Sequence, residues 1–516
     1  MKINHFLELS AQRYPNKNAV YYKNQWLSFC EIDLLANKMG NYLKSNGIQR
    51  GDRVALLYEN SFNYIICYYA ILKIGAITVA LNTQTTTNEL IYLLNDSGSK
   101  AIITNSKFSN YLLPALEKIR CLKEIIIDQE DLSEYEKIKH INQISLKELY
   151  NHGKSYHPGV KFSDTDLASI IYTSGSTGKS KGVTLTHLNI TSNTRSIEKY
   201  LKLTHEDRIM VVLPFYYCYG KSLLNTHFFV GGSVVIDNRF AYPNVVLETM
   251  KKMEVTGFSG VPSTFMILLN NSSVRKYKFD SLRYLTQAGG AMAPVVQKEV
   301  LKVFKPAKLF IMYGATEASA RLSYLEPEIL PEKWGSIGKA IPNVDLFVAD
   351  NNGQEVSQGK IGEIVARGSN LMVGYWNDPE ETAKVMKNGL YYTGDLGRMD
   401  EDGFLYVVGR IKDMIKVGGE RVSAKKIEET IMEMNEIQEV AIIGVDDNIL
   451  GEAIKAIIVS RNGNGIKKKN IQNYLRGKLP PNKIPKYYEF RESLPKNESG
   501  KIMKEVLRNP LFNYKT

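Results

Sequence analysis

Eleven consecutive residues, Tyr172-Thr173-Ser174-Gly175-Ser176-Thr177-Gly178-Lys179-Ser180-Lys181-Gly182, combine glycines, hydroxyls and two lysines at high density. They follow an apolar run, Leu167-Ala168-Ser169-Ile170-Ile171, that reads as a strand, and give way to Val183-Thr184-Leu185-Thr186-His187. Such a composition suits an anionic polyphosphate. Glycine lets backbone N–H groups approach the oxygens, Ser and Thr donate further hydrogen bonds, and Lys adds charge. It is not a Walker A loop, which requires G-x4-G-K-[ST]: five residues on from Gly175 stands Ser180, and five before Gly178 stands Thr173.

Four later segments carry residues of matching chemistry. They are Tyr313-Gly314-Ala315-Thr316-Glu317, Tyr392-Thr393-Gly394-Asp395, Gly409-Arg410-Ile411-Lys412-Asp413-Met414-Ile415-Lys416 and Pro495-Lys496-Asn497-Glu498-Ser499-Gly500-Lys501. Together with the first stretch, and in the same order, they resemble the motifs of the adenylate-forming superfamily: acyl- and aryl-CoA synthetases, luciferases and peptide-synthetase adenylation domains. The resemblance covers most of the chain.

It implies an ATP- and Mg2+-dependent enzyme that joins a carboxylic acid to a thiol through an acyl-adenylate. Two anions meet in that reaction, so electrostatic stabilisation is the main requirement and no side-chain nucleophile is needed. On the resemblance, Thr173, Ser174, Gly175, Ser176, Thr177, Gly178 and Lys181 hold the β- and γ-phosphates. Glu317 is the Mg2+ ligand, since Mg2+ prefers one or two carboxylates plus phosphate oxygens, and Thr316 donates to phosphate. Asp395 suits the ribose, because a carboxylate accepts from two hydroxyls at once, and Arg410 reaches ribose or phosphate. The adenine lies against Gly290, Ala291, Met292 and Tyr313. Lys501, on a mobile lid, bridges carboxylate and α-phosphate during adenylation and then withdraws. Gly419, within Gly418-Gly419-Glu420-Arg421, lines the tunnel for the pantetheine arm. Each has a plainer alternative: a turn, a solvated Glu317, a core Tyr313, an exposed lysine in Ser-Gly-Lys, or a hairpin at 418–421.

Pro214-Phe215-Tyr216-Tyr217-Cys218-Tyr219-Gly220 stands where the family's P-x-F-H-x-x-G gates the acid pocket. Tyr217 replaces the usual His, so aromatic gating persists without a group titrating near neutral pH. No Asp stands there to hold an α-ammonium, which disfavours an amino acid because an unpaired buried ammonium is costly; Asp237 is no obvious substitute. Phe258-Ser259-Gly260-Val261-Pro262 and Gly289-Gly290 are expected to line an apolar pocket for a fatty or aryl chain. Ser180 replaces the family's usual Pro. The preferred thiol is CoA, the alternative is the phosphopantetheine of an acyl carrier protein, and a non-catalytic nucleotide-binding homologue is the rival of another class.

These residues need a scaffold, and 516 residues imply at least two domains. Apolar content of 44% and charged content of 23% describe an ordinary globular chain. The early chain alternates helical and strand patterns, as a layered parallel α/β fold does. A helix is expected over 29–46, ending at Gly47, a strand over 54–58, an N-cap at Ser61, and strands over 101–104 and 125–128. Residues 129–164 read as a loop-rich connection. Asp400-Glu401-Asp402-Gly403 reads as a hairpin turn. The resemblance implies an α/β fold with a large multi-layered N-terminal AMP-binding domain of parallel sheets, residues 1–409, and a small α+β C-terminal lid, residues 410–516, pivoting at Lys412.

The net charge of +12 comes from dispersed lysines, with one tight run at Lys467-Lys468-Lys469. A solvated surface explains them better than nucleic acid, and they would also attract an acidic carrier protein. Four separated cysteines (Cys30, Cys67, Cys121, Cys218) give no zinc or disulfide pattern. The apolar stretch 65–81 is interrupted by Lys73 and Gly75 and reads as a buried helix leading into a strand. With no signal-type run at the N-terminus, a cytoplasmic enzyme is expected.

Overall fold

The computed structural model describes residues 1–135, 138, 141–174, 180–417, 420–447, 451–461, 466–496 and 502–508. Of the expected site residues, Gly175, Ser176, Thr177, Gly178, Gly419 and Lys501 lie outside the described residues, as does the side chain of Ser174.

Two large sheets are built mainly from the first 340 residues. In one, Arg53–Leu57, Ile77–Ala80, Ala101–Asn105, Glu124–Asp128, Asn142–Ser145 and Leu167–Ser174 run parallel, with Ser180–Thr186 and Gly374–Tyr375 added antiparallel at an edge. In the other, Asn18–Tyr22, Ser233–Ile236, Arg208–Val211, Gly257–Gly260, Tyr284–Gln287 and Lys308–Tyr313 run parallel, with antiparallel strands at both ends.

Strand alternation places helices on both faces of each sheet. Val54 and Leu56 share one core with Ile209 and Val211 of the second sheet, across the helices Phe62–Lys73 and Cys218–Val230. The intervening Ala55 and Leu57 face an outer helical layer, and Met210 faces another. The order is therefore helix, sheet, helix, sheet, helix. The central helices are buried nearly all round, which is why their sequences show little amphipathic pattern.

The helix Phe29–Ser45 is started by a reciprocal cap between Ser28 and Glu31, and Ser61 accepts from the Tyr64 backbone N–H to start the next. Lys73, inside the apolar stretch, is fully buried and pairs with Asp33 at 2.8 Å and Glu8 at 3.2 Å. Among the described residues no helix is long and apolar enough to cross a membrane. The four cysteines are free.

The loop-rich connection at 129–164 also holds two elements that the sequence did not mark: Asn142–Ser145 is the edge strand of the first sheet and Leu146–His152 a helix. A partly buried edge strand of sequence Asn-Gln-Ile-Ser has no apolar alternation to betray it.

A smaller sheet follows, in which Leu390–Met399 and Leu405–Arg410 form the expected hairpin, with Asp395 opposite Arg410. The last sheet, built around Ile437–Asp447 and Gly451–Ser460, packs on helices Ala424–Met432 and Lys468–Arg476 over its own apolar core.

Candidate active site

Four neighbouring parallel strands of the second sheet end on the same side, and the segments singled out from the sequence follow their C-terminal ends. Arg208–Val211 leads to Pro214 and Cys218, and Gly257–Gly260 leads to Val261. Tyr284–Gln287 leads to residues 289–292, and Lys308–Tyr313 leads to Thr316 and Glu317. Strand ends of an open parallel sheet expose unpaired backbone groups and admit loops, so ligands collect there.

Tyr313, the last residue of its strand, donates its hydroxyl to Asp395 Oδ2 at 2.6 Å, and Arg410 Nε donates to Asp395 Oδ1 at 2.8 Å. The Thr393 hydroxyl accepts from the Asp395 backbone N–H and donates to Ile364 O, holding the turn. Burial and the adjacent Asp395 push the Tyr313 phenol well above its ordinary range, so it remains a donor. The structure thus brings Tyr313 to a hairpin pair whose Asp395 lies 82 residues further along the chain.

Beyond Tyr313, Gly314 allows the chain to double back: a Cβ there would lie 2.1 Å from Ala320 O. Thr316 Oγ1 lies 3.4 Å from Cys218 Sγ, which joins this segment to the expected acid gate. Glu317 Oε1 accepts from Tyr375 OH at 2.7 Å, and Glu317 O accepts from the Met372 backbone N–H. Tyr375 was not foreseen. It lies on the edge strand Gly374–Tyr375 beside Val183, and no pattern in its segment marks it.

Lys181 stands opposite Thr173 in the hairpin formed by Leu167–Ser174 and Ser180–Thr186. Its ammonium lies 5.2 Å over the Tyr375 ring and pairs with Glu381, which also pairs with Lys384. These lysines hold the Glu381 carboxyl down at about 2. A phosphate arriving at Lys181 therefore competes with a carboxylate already present.

Gly290 and Ala291 are exposed, and Gln287 Nε2 donates to Gly290 O at 2.7 Å. Met292 is buried in the outer core, so it offers a flat ligand backbone, not side chain.

The segment expected to gate the acid pocket is held by Asn60, whose Oδ1 accepts from Phe215 N at 2.7 Å and whose Nδ2 donates to Leu213 O at 2.9 Å. Gly220 is obligatory, since a Cβ would meet Pro214 O at 2.1 Å. Asp237 is committed to Arg239 and Thr249, which removes it as a partner for an ammonium.

The expected apolar lining is only partly present. Phe258 faces the outer core beside Phe265, because it alternates with Ser259 along the strand. The Ser259 hydroxyl meets Thr286 Oγ1 at 2.6 Å, and Tyr219 OH meets the same oxygen at 2.8 Å. Arg321, also unforeseen, is fully buried and stacks its guanidinium 4.1 Å over the Tyr219 ring.

Glu317 suits a hard cation: one oxygen is taken by a phenol, and among the described residues no cluster of three acidic, His or Cys ligands exists. A single carboxylate plus phosphate oxygens is how Mg2+ is commonly held, whereas an all-protein cage would need more ligands.

Residues 7–376 match the AMP-binding enzyme family and residues 426–501 match the AMP-binding enzyme C-terminal domain. A long-chain-fatty-acid–CoA ligase of Bacillus subtilis (strain 168) is 32% identical over 96% of this chain and 92% of its own. An anthranilate CoA ligase in complex with anthranoyl-AMP superposes with a TM-score of 0.91 at 25% identity, over 98% of this chain and 96% of its own. The o-succinylbenzoate CoA synthetase of Bacillus subtilis, in complex with ATP and magnesium, superposes with a TM-score of 0.83 at 28% identity, over 97% and 98%.

Proposed function

This chain belongs to the AMP-binding enzyme family, and from that premise we propose that it is an AMP-forming acid–thiol ligase that makes an acyl-CoA. An oxygen of the acid's carboxylate attacks the α-phosphorus of ATP and the bond to pyrophosphate breaks. The sulfur of CoA then attacks the acyl carbon, and AMP leaves with the oxygen that the acid contributed. The acid enters past the aromatic segment 215–219, and its body is apolar, fatty or aryl.

The observation that carries this reading is the junction of Tyr313, Asp395 and Arg410 at the end of the strand that also delivers Thr316 and Glu317. Asp395 accepts from the ribose hydroxyls, with Arg410 and Tyr313 fixing its carboxylate. Residues 290–292 and Tyr313 flank the adenine. Thr316 donates to phosphate, and Glu317 holds Mg2+, which neutralises phosphate charge when bound. Lys181, together with residues 173–178, receives the β- and γ-phosphates by exchanging Glu381 for them. Lys501 bridges the two reacting anions, a charge useful only where it fits the transition state better than the ground state.

The lid begins at Arg410, and Lys412, on the short helical turn Ile411–Asp413, is its pivot. Gly419 lines the path of the pantetheine arm. A second reading, transfer to an acyl carrier protein, is supported by the net charge of +12, which favours encounter with an acidic partner. The ligase acts in the cytoplasm, where ATP and CoA are at hand.

Pyrophosphate release from ATP and Mg2+ tests the proposal, measured across a panel of carboxylic acids with no thiol, with CoA and with carrier protein. Acid-dependent release with CoA-dependent turnover is expected. Turnover with the carrier protein alone would replace CoA as acceptor, and silence throughout would leave a nucleotide-binding homologue.

A further inference from the structure

The strand Gly374–Tyr375 is fastened to the edge of the hairpin that carries Lys181. Trp376 N donates to Gly182 O at 2.7 Å, and the Thr184 hydroxyl donates to Gly374 O at 2.7 Å. The same strand holds the start of the short helix Pro379–Val385. There the Thr382 hydroxyl accepts from Tyr375 N at 2.8 Å and donates to Asp378 O at 2.7 Å. The Asp378 carboxylate accepts from Glu381 N at 3.0 Å and caps the helix. The backbones under Lys181 and Glu381 are therefore tied to each other, and side-chain torsions alone make or break their ion pair.

The Lys181 side chain is 13% exposed and that of Glu381 20%, so the pair is partly shielded from water without being sealed in the core. Glu381 divides its carboxylate between two lysines: Oε2 meets Lys181 and Oε1 meets Lys384. The Lys384 side chain is 65% exposed. A carboxylate that lets go of Lys181 thus keeps a solvated partner, and its departure strands no charge. Lys181 also lies over the Tyr375 ring, whose hydroxyl donates to Glu317. The lysine expected to meet phosphate and the acid expected to hold Mg2+ therefore flank one side chain. Two lysines keep the Glu381 carboxyl ionised at neutral pH, so Lys181 always has a charged internal partner at hand.

We propose that Glu381 drives pyrophosphate release: ATP displaces it from Lys181 onto Lys384, and after adenylation it reclaims Lys181 and expels the product. The inference rests on the ligase reading given above, in which Lys181 meets the β- and γ-phosphates. Those are the two phosphates that leave as pyrophosphate. While Glu381 occupies Lys181, the phosphate-ready state is only fractionally populated, and the apparent affinity falls by that fraction. ATP and pyrophosphate are weakened alike, and the product departs faster for it. Glu381 acts through Lys181 and is a positioning residue.

Calorimetric titration of inorganic pyrophosphate with Mg2+ tests this without acid or turnover, in wild type, Glu381→Gln, Lys181→Met and the double variant. Glu381→Gln is expected to bind pyrophosphate about threefold tighter or more. In the Lys181→Met background the same substitution is expected to change nothing. A residue that merely braced Lys181 would act with the opposite sign, so weaker or unchanged binding in Glu381→Gln overturns the proposal. Equal tightening in the Lys181→Met background overturns it as well, since long-range charge would then suffice. Turnover gives the second readout: with an acid that wild type activates, Glu381→Gln should lower the KM for ATP and strengthen product inhibition by pyrophosphate. Unchanged inhibition overturns the role in release and leaves the ligase reading standing. Should no acid be activated, the ligase reading alone falls: Lys181-dependent tightening still upholds Glu381 as the competitor of pyrophosphate, and its absence overturns that too.

Discussion

Replacing Lys221 by methionine should stabilise the ligand-free fold, by an amount that depends on pH. Burial lowers the Lys221 amine from 10.5 to about 7, the Cys218 thiol beside it being the one neighbour that pulls the other way. The remaining groups around it are neutral: the Tyr68 ring from Phe62–Lys73, Asn193 and Thr194 from His187–Leu201, and Ser319. The unfolded chain therefore keeps this proton up to about pH 10.5, while the folded chain releases it near 7. Between those values the unfolded state binds more protons, so wild-type stability rises with pH, and below 7 the penalty is full and constant. At about 1.36 kcal/mol per pH unit the penalty near pH 7 is on the order of 4 kcal/mol. Methionine fills similar volume without the charge. Urea unfolding at pH 7 and at pH 9.5 measures the difference. The variant should exceed wild type by a few kcal/mol at pH 7, with the gap largely closed at pH 9.5. A wild type at least as stable at pH 7, or a gap that does not change with pH, would refute the reasoning that burial without a carboxylate partner lowers this amine.

Asp395→Ala should leave Arg410 and Tyr313 without their shared acceptor, costing about 1–3 kcal/mol of local stability and weakening ATP at least tenfold by calorimetric titration; unchanged ATP affinity would remove Asp395 from the nucleotide site. Lys501→Ala should cut adenylation severely while thioester formation from supplied acyl-adenylate suffers much less, and equal loss of both half-reactions would contradict a role confined to the first. Lys412→Pro, by fixing φ at the pivot, should separate the two half-reaction rates; if both are unchanged, the lid does not turn there.

Much of the scaffold was readable because it follows local rules. The helix at Phe29–Ser45 announces itself through Ser28 and Glu31, and the strands at 53–57 and 101–105 through short apolar runs bounded by turns. Asn142–Ser145 escaped because this edge strand is short and mostly polar, with one apolar residue, Ile144. In the site, motif residues could be named but not joined. Tyr313 lies 82 residues from Asp395, and Lys181 lies 200 from Glu381, so only the tertiary fold sets those pairs. Tyr375 and Arg321 sit in segments with no pattern to distinguish them. Lys221 did leave a trace, a lone charge in the otherwise uncharged run Cys-Tyr-Gly-Lys-Ser-Leu-Leu-Asn-Thr-His-Phe-Phe-Val. The same trace at Lys73 was read only as an interruption, yet both mark a buried cation whose partner must be sought.

The central claim is that the acid becomes a mixed anhydride with AMP before any thiol reacts. Its most direct test uses an acid labelled with 18O in the reacting carboxylate, turned over with ATP, Mg2+ and CoA, and mass spectrometry of the AMP formed. The account predicts one 18O atom in AMP and none in pyrophosphate, because the oxygen that attacks the α-phosphorus leaves with it. Unlabelled AMP, or label in a phosphate product, would mean that the acid never joined the α-phosphorus and would contradict the account.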